Sequence, residues 1–130
     1  MAALSDYAEK LLLDWMMTTG SATRPTAWYV GLFTAAPSDA GGGTEVSGSG
    51  YARQSATFDA ASSPGGTTSN SADISFTASG GNWGTITHIG IFDASTAGNL
   101  LWHGSMTASK VVNDGDTLQF STGNIDLTIA

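Results

Sequence analysis

The stretch Tyr29-Val30-Gly31-Leu32-Phe33-Thr34-Ala35-Ala36-Pro37-Ser38-Asp39-Ala40-Gly41-Gly42-Gly43-Thr44-Glu45-Val46-Ser47-Gly48-Ser49-Gly50-Tyr51-Ala52-Arg53 decides the fold. An apolar strand runs into a glycine-rich arm, residues 35–50, and back into a strand. Residues 27–34 are apolar at nearly every position, which predicts a strand buried on both faces, with a helix above it. Long connections without structure of their own are uncommon in compact domains and usually bind something. The arm therefore reads as a contact device.

Working outward, the N-terminal side carries the helix and the C-terminal side the remaining strands. Ser5 caps a helix over residues 6–18 whose first turn holds Asp6 and Glu9, both favourable at the positive end of the helix dipole. Ala8, Leu11, Leu12, Trp15 and Met16 recur at helical spacing and predict one buried stripe, and Gly20 stops the helix. Leu13 and Met17 widen that stripe, either within the domain or toward a partner subunit. After Pro25 the pattern is β. Strands are expected at 51–58, 72–77, 85–92, 100–106, 110–112, 117–120 and 125–129, with a flexible loop over 59–70. The segments 85–92 and 100–106 should form one antiparallel hairpin, and 110–112 and 117–120 a second around Asn113-Asp114-Gly115-Asp116. The expected class is mainly β, a β-sandwich or jelly-roll-like module with one N-terminal α-helix, in a single domain spanning 1–130.

Composition narrows the function. Charged residues make up 12% of the 130 residues, about half the usual fraction. A neutral, hydroxyl-rich surface on β strands invites edge association, so homo-oligomerisation or docking is the expectation. The net charge is −7 and the four basic residues are scattered, which argues against nucleic acid, since phosphate binding needs clustered cations. Cysteine is absent, so disulfides, zinc thiolates and a cysteine nucleophile are excluded. No apolar run is long enough to cross a membrane, and the start lacks the basic and apolar segments of a signal peptide, so use without Sec export is expected.

The chemistry-bearing residues are few. His88 and His103 fall on the two strands of the first predicted hairpin, near opposite or diagonal positions, but a third metal ligand lacks suitable spacing. Asn113-Asp114-Gly115-Asp116 lacks the ligand pattern of a calcium loop and has the composition of a tight turn. No Gly-x-Ser-x-Gly elbow precedes a helix, no carboxylate pair is singled out, and the arm glycines lack the Gly-Lys-Ser/Thr ending of a phosphate loop. No catalytic, cofactor or metal residue is assigned. Partner binding is assigned instead to Gly41, Gly42, Gly43, Thr44, Glu45 and Val46 of the arm, with Arg53 as the partner of Glu45 and Trp83 as an exposed aromatic. Trp28, Trp83 and Trp102 raise a sugar-stacking alternative, in which Trp28 and Trp102 read as core and Trp83 as the surface residue.

The arm pattern, together with Trp83-Gly84-Thr85-Ile86-Thr87-His88-Ile89-Gly90-Ile91-Phe92-Asp93 and Gly98-Asn99-Leu100-Leu101, resembles a family of small virion proteins of tailed bacteriophages, described as tail-fibre-like. The resemblance covers nearly the full chain and implies a non-enzymatic virion structural protein, assembled in the host cytoplasm. The chain has no heptads and no shaft repeat, so the expected role is capsid decoration: a cement protein, trimeric by preference, bound to the major capsid protein or other virion subunits. A tail-associated or tail-fibre module attaching to a host surface, with glycan as one ligand, is the alternative.

Overall fold

In the computed structural model, which describes residues 2–129, the apolar run of the opening stretch is an interior strand of the larger sheet. The elements in chain order are β1 (Ala2–Leu4), α1 (Asp6–Met17), β2 (Trp28–Ala35), β3 (Thr44–Glu45), β4 (Gln54–Ala56), β5 (Thr67–Ser69), β6 (Ile74–Thr77), β7 (Gly84–Phe92), β8 (Leu100–Val112), β9 (Thr117–Phe120) and β10 (Asp126–Thr128). The larger sheet has the order β1-β8-β7-β2, with β3 and β4 both pairing along the outer side of β2. A second layer comprises two pairs, β5 with β10 and β6 with β9. All of these pairings are antiparallel, and the fold is a mainly β, sandwich-like module with one helix among the described residues.

The core lies between the layers. Val30, Leu32, Ile86 and Val112 from the larger sheet meet Ile74, Phe76, Leu118, Ile125 and Leu127 from the second. Alternation in β6 explains its share: Ile74 and Phe76 are buried while Ser75 and Thr77 face solvent. Fully burying side chains of this size contributes roughly 1.5–3 kcal/mol each. Asn70 is fully buried at the corner of the second layer, where its amide donates to the carbonyls of Ala72 and Ser121 and its oxygen accepts from the Ile125 N–H at 2.8 Å. Such complete satisfaction is what makes a buried amide tolerable.

Several expectations are corrected. The 110–112/117–120 hairpin does not form: Lys110, Val111 and Val112 continue β8 and pair with Ile86, Thr85 and Gly84, while β9 pairs with β6. The 113–116 turn carries the chain from one layer to the other, because its amides and carboxylates bond to the segment 78–82. The loop 59–70 contains β5, and the strand expected at 51–58 shortens to β4.

The helix also departs from expectation. Ser5 caps it, accepting from the Ala8 N–H at 3.1 Å while its own hydroxyl donates to the Leu100 carbonyl. Yet α1 touches β8 and β1, not β2, and of the predicted stripe only Ala8 is buried. The returning arm instead lies beside β2, along its outer edge, with the Glu45 carboxylate reaching over Gly31.

Candidate functional site

β2 and β7 place Gly31 directly opposite Gly90 in the sheet. Neither position has room for a side chain. A Cβ on Gly90 would stand 2.9 Å from Leu100 Cδ1 and from Phe33 Cε1, and one on Gly31 would stand 2.8 Å from Glu45 Oε2. The glycine pair thus forms a shallow floor on which Phe33, Phe92 and Leu100 pack as a small cluster on the sheet face away from the main core. Phe33 and Phe92 stack with ring centroids 6.1 Å apart.

Onto this floor the arm lays Glu45, and Arg53 closes over it. Arg53 Nε donates to Glu45 Oε2 and its terminal nitrogen Nη2 to Oε1, both at 2.8 Å. The other terminal nitrogen, Nη1, donates to the carbonyls of Ala94 and Ala97 at 3.0 and 2.8 Å, tying in the loop between β7 and β8. The guanidinium carbon stands 3.5 Å from the Phe92 ring centroid. Tyr51 completes the cluster: its hydroxyl donates to Glu45 Oε2 at 2.6 Å and accepts from the Leu32 N–H at 3.0 Å.

The electrostatics follow from this geometry. Burial alone would raise the Glu45 carboxyl, but hydrogen bonds from Arg53 and Tyr51 and the charge of Arg53 outweigh it and hold the carboxyl below its ordinary range. Burial, reinforced by the neighbouring carboxylate, pushes the Tyr51 hydroxyl well above its ordinary value. The cluster keeps a charged pair and a neutral phenol. Its donors and acceptors face one another, an arrangement that positions chain segments rather than one poised to act on a substrate.

The arm is accordingly more ordered than its composition implies. Val46 is buried in the main core and its N–H donates to the Leu32 carbonyl at 3.0 Å. Ser38 and Gly41 bridge each other, and Pro37 is buried. Asp39 bonds His103 Nε2 at 2.7 Å through its carboxylate, and its carbonyl accepts from the Asp6 N–H at 2.9 Å, so the arm also holds the helix N-terminus against β8. Sequence reasoning missed this contact, since nothing in the spacing of residues 6, 39 and 103 announces it. Gly42, Gly43 and Thr44 remain exposed at the tip.

The other sequence assignments fall as follows. The Glu45–Arg53 pairing forms within the chain and is part-buried. Trp83 is corrected outright: it is 7% exposed, its indole N–H donates to the Ser49 carbonyl at 3.0 Å, and its ring meets Tyr51 edge-on. It has no open face for a sugar. Trp28 and Trp102 are half-buried against the core and line a cleft of about 320 Å³ between the layers. His88 and His103 sit diagonally across β7 and β8, as the hairpin predicted. Among the described residues no group of three or more His, Cys, Asp or Glu side chains is arranged to hold a metal ion.

A family model described as Podophage GP4 fiber I protein gp80 matches residues 3–128. No curated protein gives a significant match. The matched span contains β2, the arm, the Glu45–Arg53–Tyr51 cluster and the β7–β8 hairpin.

Proposed function

The chain belongs to the podophage fibre I protein family, and on that premise we propose that it is a non-enzymatic module of a virion fibre that takes part in attachment to the host surface. Membership in a phage fibre family makes the chain a virion component. The observation that carries the finer reading is the match along nearly the whole chain, which favours the fibre alternative over the head-decoration role expected from compactness.

The physical role fits a structural part. The Glu45–Arg53–Tyr51 cluster, with the Asp39–His103 contact, fastens a long connection to the sheet and leaves a short tip, Gly41 to Thr44, facing outward. We assign partner contact to that tip. Glu45, Val46, Arg53 and Trp83 support it from within by fixing the chain on either side. Such a loop on a rigid scaffold is where recognition is usually carried.

The reading is tested on purified phage. Virions made without this chain should lose fibre density and adsorb poorly while their heads stay filled and stable. Fibre-complete particles with fragile heads would support decoration instead.

A further inference from the structure

The helix α1 presents an apolar surface that its own domain does not cover. Its N-terminal turn is docked, with Ser5 and Ala8 buried against the β8 end of the sheet. Leu12, Trp15 and Met16 lie on the same helix face as Ala8, at i+4, i+7 and i+8. The stripe therefore runs off the β module instead of stopping at its edge. Trp15 is 70% exposed, and Leu13, Met16 and Met17 are each more than 60% exposed. Residues 18–27, which lead back to β2, contain no helix or strand and leave these side chains uncovered.

A helix half that is apolar around most of its circumference belongs in the interior of something. On the Ala8 face, Trp15 and Met16 are exposed with the half-buried Leu12 beside them, a contiguous apolar strip of the kind that marks an interaction surface.

Charge points to the occupant. The chain carries a net −7, so copies repel one another over most of their surface. The segment from Leu11 to Gly20 holds a single charged residue, Asp14, and Lys10 pairs with it one turn away. This is an apolar surface on which copies that repel elsewhere can meet with few like charges in the contact. We infer that the C-terminal half of α1 is a self-association surface, on which Leu12, Trp15 and Met16 of one copy pack against the same helix of another. The interface is reciprocal, and its centre is the tryptophan, the residue type most enriched where binding energy concentrates. The inference is independent of where on the virion the chain resides.

The test is the mass of the full chain by sedimentation over a dilution series, alongside the double variant Trp15→Gln/Met16→Gln. Both positions are exposed in the single chain, so near-ultraviolet circular dichroism of the buried aromatic residues should report an intact core. The parent is expected at an integer multiple of 13.2 kDa, and the variant at the single-chain mass. A parent that stays monomeric at every concentration overturns the inference and assigns the patch to a different protein. An oligomer that survives the double substitution overturns it as well, by locating the interface elsewhere. Leu13→Gln/Met17→Gln, on the far side of the helix, is expected to weaken association less than Trp15→Gln/Met16→Gln; the reverse order contradicts the assigned face.

Discussion

Arg53 holds Glu45 side-on, with two parallel N–H···O contacts of 2.8 Å, and this single pair joins the end of the arm to the sheet beneath it. The guanidinium is 9% exposed and the carboxylate 24%. A pair this sheltered differs from a surface salt bridge, whose contribution is about 0–1 kcal/mol. Removing one member leaves the other with unmet donors or acceptors in a poorly solvated place. Glu45→Gln is expected to destabilise the fold by about 2–4 kcal/mol, read as a lower urea midpoint with an unchanged slope. A loss under about 0.5 kcal/mol would return the pair to the surface class.

Acid should act through the same carboxylate. Its folded pKa lies below the ordinary 4.5, so its contribution to stability is present above that value and is lost as pH falls through the depressed folded value. Melting temperature should therefore drop on acidification, and Glu45→Gln should flatten that drop. Parallel acid profiles for parent and variant would show that other carboxylates dominate.

The glycine floor gives a graded series. Gly31→Ala places a methyl 2.8 Å from the Glu45 carboxylate and 3.2 Å from the Tyr51 hydroxyl, so it should disrupt the cluster and cost roughly 1–3 kcal/mol. Gly43→Ala is expected to be worse, because its methyl meets backbone at Pro37 and Ala35 within 2.8 Å, in addition to a φ of +75°. Gly42→Ala has open space and only the positive φ to contend with, a cost of about 1–2 kcal/mol. Thermal melts of the three should fall in that order of severity, with Gly42→Ala the mildest; a Gly42→Ala as damaging as Gly43→Ala would contradict the packing described for the arm.

Trp83→Ala is expected to act on folding, not on recognition. The side chain is buried between Ser49 and Tyr51, and its loss should cost about 3–5 kcal/mol. A variant with parental stability and altered glycan binding would restore the sugar-stacking reading of this residue.

How much of this was legible in the sequence differs by element. Period-2 alternation placed β6 and β10, and the capping Ser5 with its acidic first turn located α1 to within a residue. The Glu45–Arg53 pairing was also readable, as opposite charges flanking one glycine-rich return. Pairing partners beyond the nearest hairpin were not: β9 joins β6 across forty residues because the two-layer core needs Phe76 and Leu118 side by side on the inward face of one sheet, a demand that local turn composition does not express. The arm misled for a related reason. Gly41, Gly42 and Gly43 read as flexible, yet all three adopt positive φ within a loop fixed by Asp39, Pro37 and Val46. Trp83 looked exposed because it follows Gly80 and Gly81, whereas those glycines are what lets the chain turn and bring the ring inward onto Tyr51. The α1 stripe had the opposite fate, since helical periodicity signals a buried face without saying which chain buries it.

The measurement that bears most directly on the central claim is the position of this chain on the particle. Gold-labelled antibody against the folded protein, imaged on intact virions, should mark the fibres and leave the head surface bare. Label spread over the head in a regular lattice, with none on the fibres, would contradict the account and return the chain to the capsid.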